Sequence, residues 1–166
     1  VRAEGGTTTR IDLLSSSGAA LGSLAAEVGR LLSFQWSPDG RSLLGLWSVY
    51  PATTRPNGWY VVASDGSRWT QVPGNPSAVA FLPDGRVVMT RTAAGADVPQ
   101  GSIWVAEADG TGLHRILPAV ALGYEAYGFA VAPDGAAAYF VQGGNKATGV
   151  PEALTRLDLA TGERRS

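Results

Sequence analysis

A three-residue motif, Pro-Asp-Gly, recurs along the chain at a nearly constant spacing. It stands at Pro38-Asp39-Gly40, Pro83-Asp84-Gly85 and Pro133-Asp134-Gly135, so that its aspartates lie 45 and 50 residues apart. A second, interleaved marker is a glycine that recurs every 44 to 52 residues, at Gly18, Gly66, Gly110 and Gly162. Two markers that share one period indicate a repeat, and roughly 40–50 residues is the length of one β-propeller blade. Leucine-rich and ankyrin repeats are shorter.

The residue types of both markers favour tight turns between strands. Proline presets φ for the first turn position, aspartate offers a side-chain acceptor to the backbone, and glycine tolerates positive φ. Apolar runs flank the first motif, with Phe34 and Trp36 before it and Leu43 and Leu44 after it. The second marker follows runs such as Ile103-Trp104-Val105-Ala106. Each marker therefore predicts a β-hairpin.

The whole chain is predicted to be all-β, as four-stranded antiparallel propeller blades. The one weakly helical period, Leu21 to Leu32, is interpreted as strand and turn. We call the strands of a blade a to d from the propeller axis outward. The predicted domains are an incomplete first blade at 1–30 (strands c and d only), blades at 31–76 and 77–126, and a blade at 127–166 with an incomplete outer strand. About three and a half blades result, which predicts a segment of a larger propeller.

The repeat resembles a known family. The WD40-like repeats in TolB-type propellers have a common pattern. It consists of an apolar pair, then Ser-Pro-Asp-Gly, then an apolar strand, then an Ile-Tyr-Val-like strand and a terminal Asp-Gly. The match covers almost the whole chain, and Phe34 to Gly40 with Trp59 to Gly66 fits well. The third unit departs from it, because Ala136-Ala137-Ala138 replaces the usual charged residue and aliphatic pair. The resemblance implies a bacterial scaffold in the periplasm or outside the cell.

Composition excludes several function classes. The chain has 13 basic and 14 acidic residues, whereas a nucleic-acid groove needs clustered positive charge. It has no cysteine, which removes disulfides, thiolate metal sites and cysteine nucleophiles. No apolar run approaches the roughly 20 residues that span a bilayer. The N-terminus has no initiator Met and no signal-peptide core, and it reads as the middle of a longer protein.

No catalytic, cofactor or metal site is predicted. The three Pro-Asp-Gly aspartates share one turn context, which favours a structural role over catalysis or metal binding. The loop Glu107–Gly112 resembles a calcium loop but lacks the ligand spacing and the bidentate Glu of an EF-hand. His114, the only histidine, is predicted to be an exposed strand residue, because no Gly-x-Ser-x-Gly elbow is present. Most of the five tryptophans are expected in the core, with Trp59 and Trp69 as exceptions.

Partner binding is predicted on the long, dissimilar loops between strands b and c and between d and the next a. A rigid repeated frame commonly carries its binding residues on such loops. Aromatic and polar side chains there make up the candidate partner-binding set: Tyr50, Arg55, Asn57, Trp59, Asp97, Gln100, Tyr124, Glu125, Tyr127, Asn145 and Lys146.

Three functions are compatible with this sequence. The first is a non-catalytic propeller module that binds a protein partner, or the remainder of the same propeller. The second is the propeller domain of a prolyl-oligopeptidase-like serine hydrolase whose catalytic domain lies outside these residues. The third is a carbohydrate-binding propeller. Three and a half blades are expected to leave apolar blade faces and strand edges uncovered, which predicts either a fragment of a longer propeller or a chain whose ends are covered by a partner.

Overall fold

A computed structural model describes residues 8–48, 56–92, 100–121, 129–142 and 153–165. Every helix or strand in these ranges is a β-strand, which confirms the all-β prediction. The fourteen strands are β1 (Thr8–Leu14), β2 (Ala20–Val28), β3 (Arg30–Trp36), β4 (Ser42–Ser48), β5 (Gly58–Ala63), β6 (Trp69–Gln71), β7 (Ala78–Phe81), β8 (Val87–Thr92), β9 (Gln100–Ala106), β10 (His114–Ala121), β11 (Ala130–Val131), β12 (Ala137–Gln142), β13 (Ala153–Asp158) and β14 (Arg164–Arg165).

The chain divides into two compact units, Val1–Val72 and Pro73–Ser166. The first unit contains a two-stranded first sheet, β1-β2, and a four-stranded second sheet, β3-β4-β5-β6. The second unit contains a third sheet, β7-β8-β9-β10, and a fourth sheet, β11-β12-β13-β14. All pairings are antiparallel and join strands that follow one another in sequence. These meandering sheets confirm the predicted blades, while the exact blade boundaries stay a prediction.

Glycine explains why the weakly helical stretch Leu21 to Leu32 forms strands. Gly22 and Gly29 adopt φ of +156° and +151°, values that a helix does not contain. The chain is therefore extended through β2 and enters β3 one residue later. The prediction of strand and turn is confirmed there.

The Pro-Asp-Gly motifs form the turns between the first and second strands of the three four-stranded sheets. In each turn the glycine N–H donates to the carbonyl three residues earlier: Gly40 to Ser37 at 2.9 Å, Gly85 to Leu82 at 2.9 Å and Gly135 to Ala132 at 2.8 Å. The three glycines have φ between +69° and +89°. The three motifs thus form the tight turns, with glycine at positive φ, that their residue types predicted.

The second glycine marker closes the turns between third and fourth strands. Gly66 and Gly110 donate to Ala63 and Glu107 at 2.8 and 2.9 Å, with φ of +74° and +85°. Gly18 makes the same bond to Ser15, at 2.9 Å, between β1 and β2. The sequence places this turn with the second marker, because Gly18 stands 48 residues before Gly66 and is not preceded by Pro-Asp, although its sheet has only two described strands.

Each unit has its own hydrophobic core. In the first unit Leu24 of the first sheet packs with four buried residues of the second sheet: Leu43, Trp47, Tyr60 and Val62. In the second unit the core joins the third sheet to the fourth through Ala80, Leu82, Val88, Ile103, Val105, Leu117, Phe140 and Leu157. In both units the apolar faces of consecutive sheets are stacked on each other.

Candidate functional site

Strand β3 of the first unit exposes a row of large apolar side chains. The exposed fractions are 57% for Leu32, 66% for Phe34 and 41% for Trp36. Alternate residues of a regular strand point to the same side of the sheet, so Phe34 and Trp36 share one face. Leu32 lies at a shift in the pairing register of β3 with β4. Leu14 of β1 and Leu21 of β2 are also exposed, at 60% and 70%.

Four of these residues, Leu14, Leu21, Phe34 and Trp36, line an open groove of about 430 Å³ within the first unit. The groove is walled by both sheets of the unit, through Ile11, Asp12, Leu13, Leu14, Leu21, Phe34, Trp36, Gly40, Leu43 and Ser64. Its one carboxylate, Asp12, accepts a hydrogen bond from Nε of Arg10 at 2.6 Å, which offsets its charge. The groove therefore offers an apolar, nearly neutral surface.

The exposure of β3 is not a general property of first strands in this repeat. Strand β7 occupies the same position in the third sheet, ahead of its own Pro-Asp-Gly turn. All four of its residues, Ala78, Val79, Ala80 and Phe81, are buried, at 3–9% exposure. Contiguous apolar patches of this kind mark interaction surfaces on folded proteins. The groove is therefore the best candidate functional site on the described residues.

Of the predicted loop residues, the three that the structure describes do not line this groove. Eight of the eleven lie outside the described residues: Tyr50, Arg55, Asp97, Tyr124, Glu125, Tyr127, Asn145 and Lys146. Asn57 is exposed directly before β5, and Gln100 begins β9, opposite Ala121 of β10. Trp59 lies inside β5 and is only 8% exposed, so its ring is not part of a loop surface.

The burial of two tryptophans, Trp36 and Trp59, differs from the prediction. Trp59, expected as an exception, is buried, whereas Trp36, expected in the core, is 41% exposed. Trp47 is fully buried, and Trp69 packs edge-on against it with ring centroids 5.4 Å apart. The reason is the position of each strand. Trp59 belongs to an inner strand of the second sheet, and Trp36 ends the edge strand whose face is uncovered.

The aspartates of the Pro-Asp-Gly turns accept hydrogen bonds from residues of the same turn. Oδ1 accepts the N–H two residues further on, from Arg41 to Asp39 at 3.0 Å, from Arg86 to Asp84 at 3.0 Å and from Ala136 to Asp134 at 2.9 Å. The Ser37 hydroxyl also donates to Asp39 at 2.7 Å and is the main cause of the lowered pKa of that carboxyl. For Asp84 the main cause of its lowered pKa is the hydrogen bond from the Arg86 side chain. Each of these three carboxylates therefore accepts hydrogen bonds from its own turn.

The aspartates of the second turn type behave in the same way. Oδ1 of Asp109 accepts from the Thr111 N–H at 2.9 Å and from its hydroxyl at 2.6 Å, so the suspected calcium loop is a hydrogen-bonded turn. Hydrogen bonds from Ser67 and Thr161 lower the pKa of Asp65 and Asp158. Within the described ranges no three side chains of metal-binding type come together.

His114 lies at the start of β10 and is exposed, as predicted. Its Nδ1 is 2.9 Å from the backbone carbonyl oxygen of Gly112, two residues earlier in the same turn. That contact is local and fixes the ring at the sheet surface.

The sequence did not identify the groove residues individually, although the signal for the groove was present. The incomplete first blade predicted an uncovered blade face. The sequence analysis placed its candidate binding residues on the variable loops, and that placement stays a prediction.

Solved structures resemble the chain in fold. It matches hydrazine synthase of Kuenenia stuttgartiensis with a TM-score of 0.58 and 16% identity, over 93% of this chain and 47% of that one. A putative 6-phosphogluconolactonase from Bacteroides fragilis matches at a TM-score of 0.42 and 14% identity, over 95% and 63%. The dihydro-heme d1 dehydrogenase NirN matches at 0.34 and 16%, over 90% and 39%. The last two scores are too low to support an argument.

The chain thus spans about half the length of the hydrazine synthase chain that it matches. No protein-family model and no curated protein sequence matches it. The comparison supports the β-propeller fold, and the TolB-type family stays a prediction. Among the described residues no helix is long and apolar enough to cross a membrane.

Proposed function

We propose that this chain is a non-catalytic β-propeller module that binds a protein partner in the apolar groove of its first unit. The observation that carries the proposal is the contrast between two equivalent strands. Phe34 and Trp36 of β3 are exposed, whereas the residues of β7 are buried. Leaving large apolar side chains in water costs about 1.5–3 kcal/mol each relative to burial, so a partner that covers them gains binding energy.

The composition of the groove favours a protein over a small polar ligand. Protein interfaces have apolar centres enriched in aromatic residues, with charged groups at the rim. Phe34, Trp36 and Leu21 provide such a centre, and the Arg10–Asp12 pair lies at the edge of the groove. The resemblance to TolB-type propellers supports a scaffolding role in the periplasm or outside the cell.

The polar chemistry of the described residues supports a non-catalytic role. The turn aspartates are held by hydrogen bonds inside their turns, and His114 contacts a backbone carbonyl of its own turn. An acid–base pair needs two side chains within hydrogen-bond reach of a common substrate atom. The turn aspartates and His114 make contacts within their own turns, and Asp12 accepts a hydrogen bond from Arg10.

Site-specific photo-crosslinking tests this function. A benzoylphenylalanine placed at Phe34 is expected to capture a defined protein adduct in cells that produce the full-length protein. Leu154, in β13 of the second unit, is the matched control because it is equally exposed, at 66%, but does not line the groove. An adduct from position 34 and none from position 154 supports the proposal. No adduct at position 34, or the same adducts at both positions, contradicts it.

A further inference from the structure

Two arginines flank one tryptophan in the third sheet. Arg91 belongs to β8, Trp104 to β9 and Arg115 to β10, which are three neighbouring strands of that sheet. The guanidinium carbons of Arg91 and Arg115 are 4.9 and 5.9 Å from the ring centroid of Trp104. Because the face of an aromatic ring attracts guanidinium groups, a single ring holds two positive charges near each other.

A hydrogen bond fixes the orientation of this ring. Nε1 of Trp104 donates to Oγ of Ser102 at 2.7 Å. Ser102 stands opposite Arg91 in the pairing of β8 with β9. On the other side, Trp104 stands opposite Arg115 in the pairing of β9 with β10. The ring is therefore held between the two arginines by contacts within the sheet, and it supports both guanidinium groups before any ligand binds.

Arg91 is held more firmly than Arg115, because it also packs against the turn before β7. A Cβ built on Gly74 would overlap the guanidinium group of Arg91, so this group lies directly against the Gly74 backbone. Gly74 has φ of +79°, a conformation that glycine adopts without strain. Arg91 is half-buried, whereas Arg115 is exposed. Arg91 is thus the fixed member of the pair, and Arg115 is free to change its rotamer in solvent.

Neither of these guanidinium groups pairs with a carboxylate among the described residues. Arg86, in the turn that leads into β8, by contrast forms an ion pair with Asp84 at 2.7 Å. The whole chain has a net charge of -1, so two positive charges without a carboxylate partner are a local feature of the third sheet. Like charges at this distance repel each other, and an anion bound to both groups relieves that repulsion. The charges of Arg91 and Arg115 therefore favour an anionic ligand.

We propose that Arg91 and Arg115, which we call the arginine pair, bind a phosphate group at the surface of the third sheet. One bidentate arginine takes both oxygens of a carboxylate, whereas a phosphate has further oxygens for a second arginine. A phosphate dianion also balances the two positive charges. Arg91 holds the anion in place, and Arg115 turns onto it by a change of rotamer. This site lies in the second unit and does not depend on protein binding in the groove.

Calorimetric titration of the full chain at about pH 8, where phosphate monoesters are dianions, tests this inference. The probes are inorganic phosphate, methyl phosphate and acetate. We expect both phosphates to bind about tenfold more tightly than acetate, which has one charge and only two oxygens. Arg115→Gln should weaken the binding of inorganic phosphate by about tenfold, because hydrogen bonds between charged groups are lost. Arg91→Gln should weaken it by at least as much.

Arg164→Gln is the matched control for the arginine pair. Arg164 is exposed in β14 of the same unit, so this variant removes the same charge from a different sheet. It should change the affinity for inorganic phosphate by less than about twofold, because exposed charges that are far apart are screened by salt. Arg115 is also exposed, so Arg115→Gln keeps the fold and decides the test even if Arg91→Gln does not fold.

Two kinds of result would overturn the proposal. The first is that the wild-type chain does not bind inorganic phosphate, or binds acetate equally tightly. The second is that Arg115→Gln leaves phosphate binding unchanged, or that Arg164→Gln weakens it by the same factor. Either outcome of the second kind would identify the bound phosphate as an adventitious ion only.

Discussion

Gly135 lies directly against the ring of Pro83, so that a Cβ built on Gly135 would be 2.9 Å from Cδ of Pro83. The two residues belong to consecutive Pro-Asp-Gly turns, that of the fourth sheet and that of the third. The repeat motif therefore does more than turn the chain. In the second unit, the glycine of one turn provides the space in which the proline of the preceding turn packs.

Replacing this glycine should cost more than replacing its counterpart in the third sheet. Gly85 has φ of +89° and open space around its Cβ position, so Gly85→Ala costs only the backbone strain, about 1–2 kcal/mol. Gly135→Ala adds the clash with Pro83, and overpacking costs about 1–3 kcal/mol more. Urea denaturation of the two variants measures the difference. Equal losses of unfolding free energy in the two variants would show that the contact between Gly135 and Pro83 adds no steric cost.

Two tryptophans of the first unit form a matched pair for testing burial. Trp47 is 1% exposed, and Trp47→Ala is expected to lower the free energy of unfolding by about 3–5 kcal/mol. Trp36 is 41% exposed in the groove, and the same truncation there should cost clearly less than at Trp47. A loss at Trp36 as large as that at Trp47, measured by denaturant melts, would mean that the groove is closed in solution.

The turn carboxylates predict how stability responds to acid. Hydrogen bonds from Ser37 and Arg41 lower the folded-state pKa of Asp39 below its ordinary value of 3.8. The resulting stabilisation is fully present above pH 3.8 and is lost as the pH falls through the lowered folded-state pKa. Asp65, Asp84 and Asp158 act in the same direction.

Replacing Asp39 by an uncharged residue tests the predicted direction of this pH dependence. Asp39→Asn should be less stable than the wild type near neutral pH, and the difference should shrink as the pH is lowered below about 3.8. Ser37→Ala removes the main cause of the lowered pKa and should show a smaller pH dependence of the same sign. Thermal melts at a series of pH values measure both. A difference that stays constant with pH would contradict the role given to these hydrogen bonds.

Local chemistry explains which features the sequence could predict. Pro-Asp-Gly and the second glycine marker form turns because of the conformational preferences of four or five consecutive residues. The hairpins and the all-β class can therefore be predicted from short local sequences. The burial of Trp36 and Trp59 does not follow in this way. Trp36 ends a strand in which apolar residues alternate, and Trp59 lies in a continuous apolar run, but both patterns predict burial. What distinguishes the two residues is whether other side chains cover them.

The candidate site likewise depends on tertiary contacts that local sequence does not predict. The variable loops of the repeat differ from blade to blade, which indicates binding but does not say which residues converge. The groove combines residues of the first sheet with Phe34, Trp36 and Leu43 of the second sheet. Which side chains meet there depends on tertiary packing, and the repeat markers do not specify it.

Sedimentation velocity at micromolar concentration tests the central claim, that the groove is an apolar surface in need of a protein cover. The isolated chain is expected to associate with rising concentration into a range of species, through Phe34 and Trp36. The double variant Phe34→Ser, Trp36→Ser should reduce that association, and Leu154→Ser should not. A wild-type chain that sediments as a single 17.2 kDa monomer and melts cooperatively would contradict the claim. It would show that the first unit is complete without a partner.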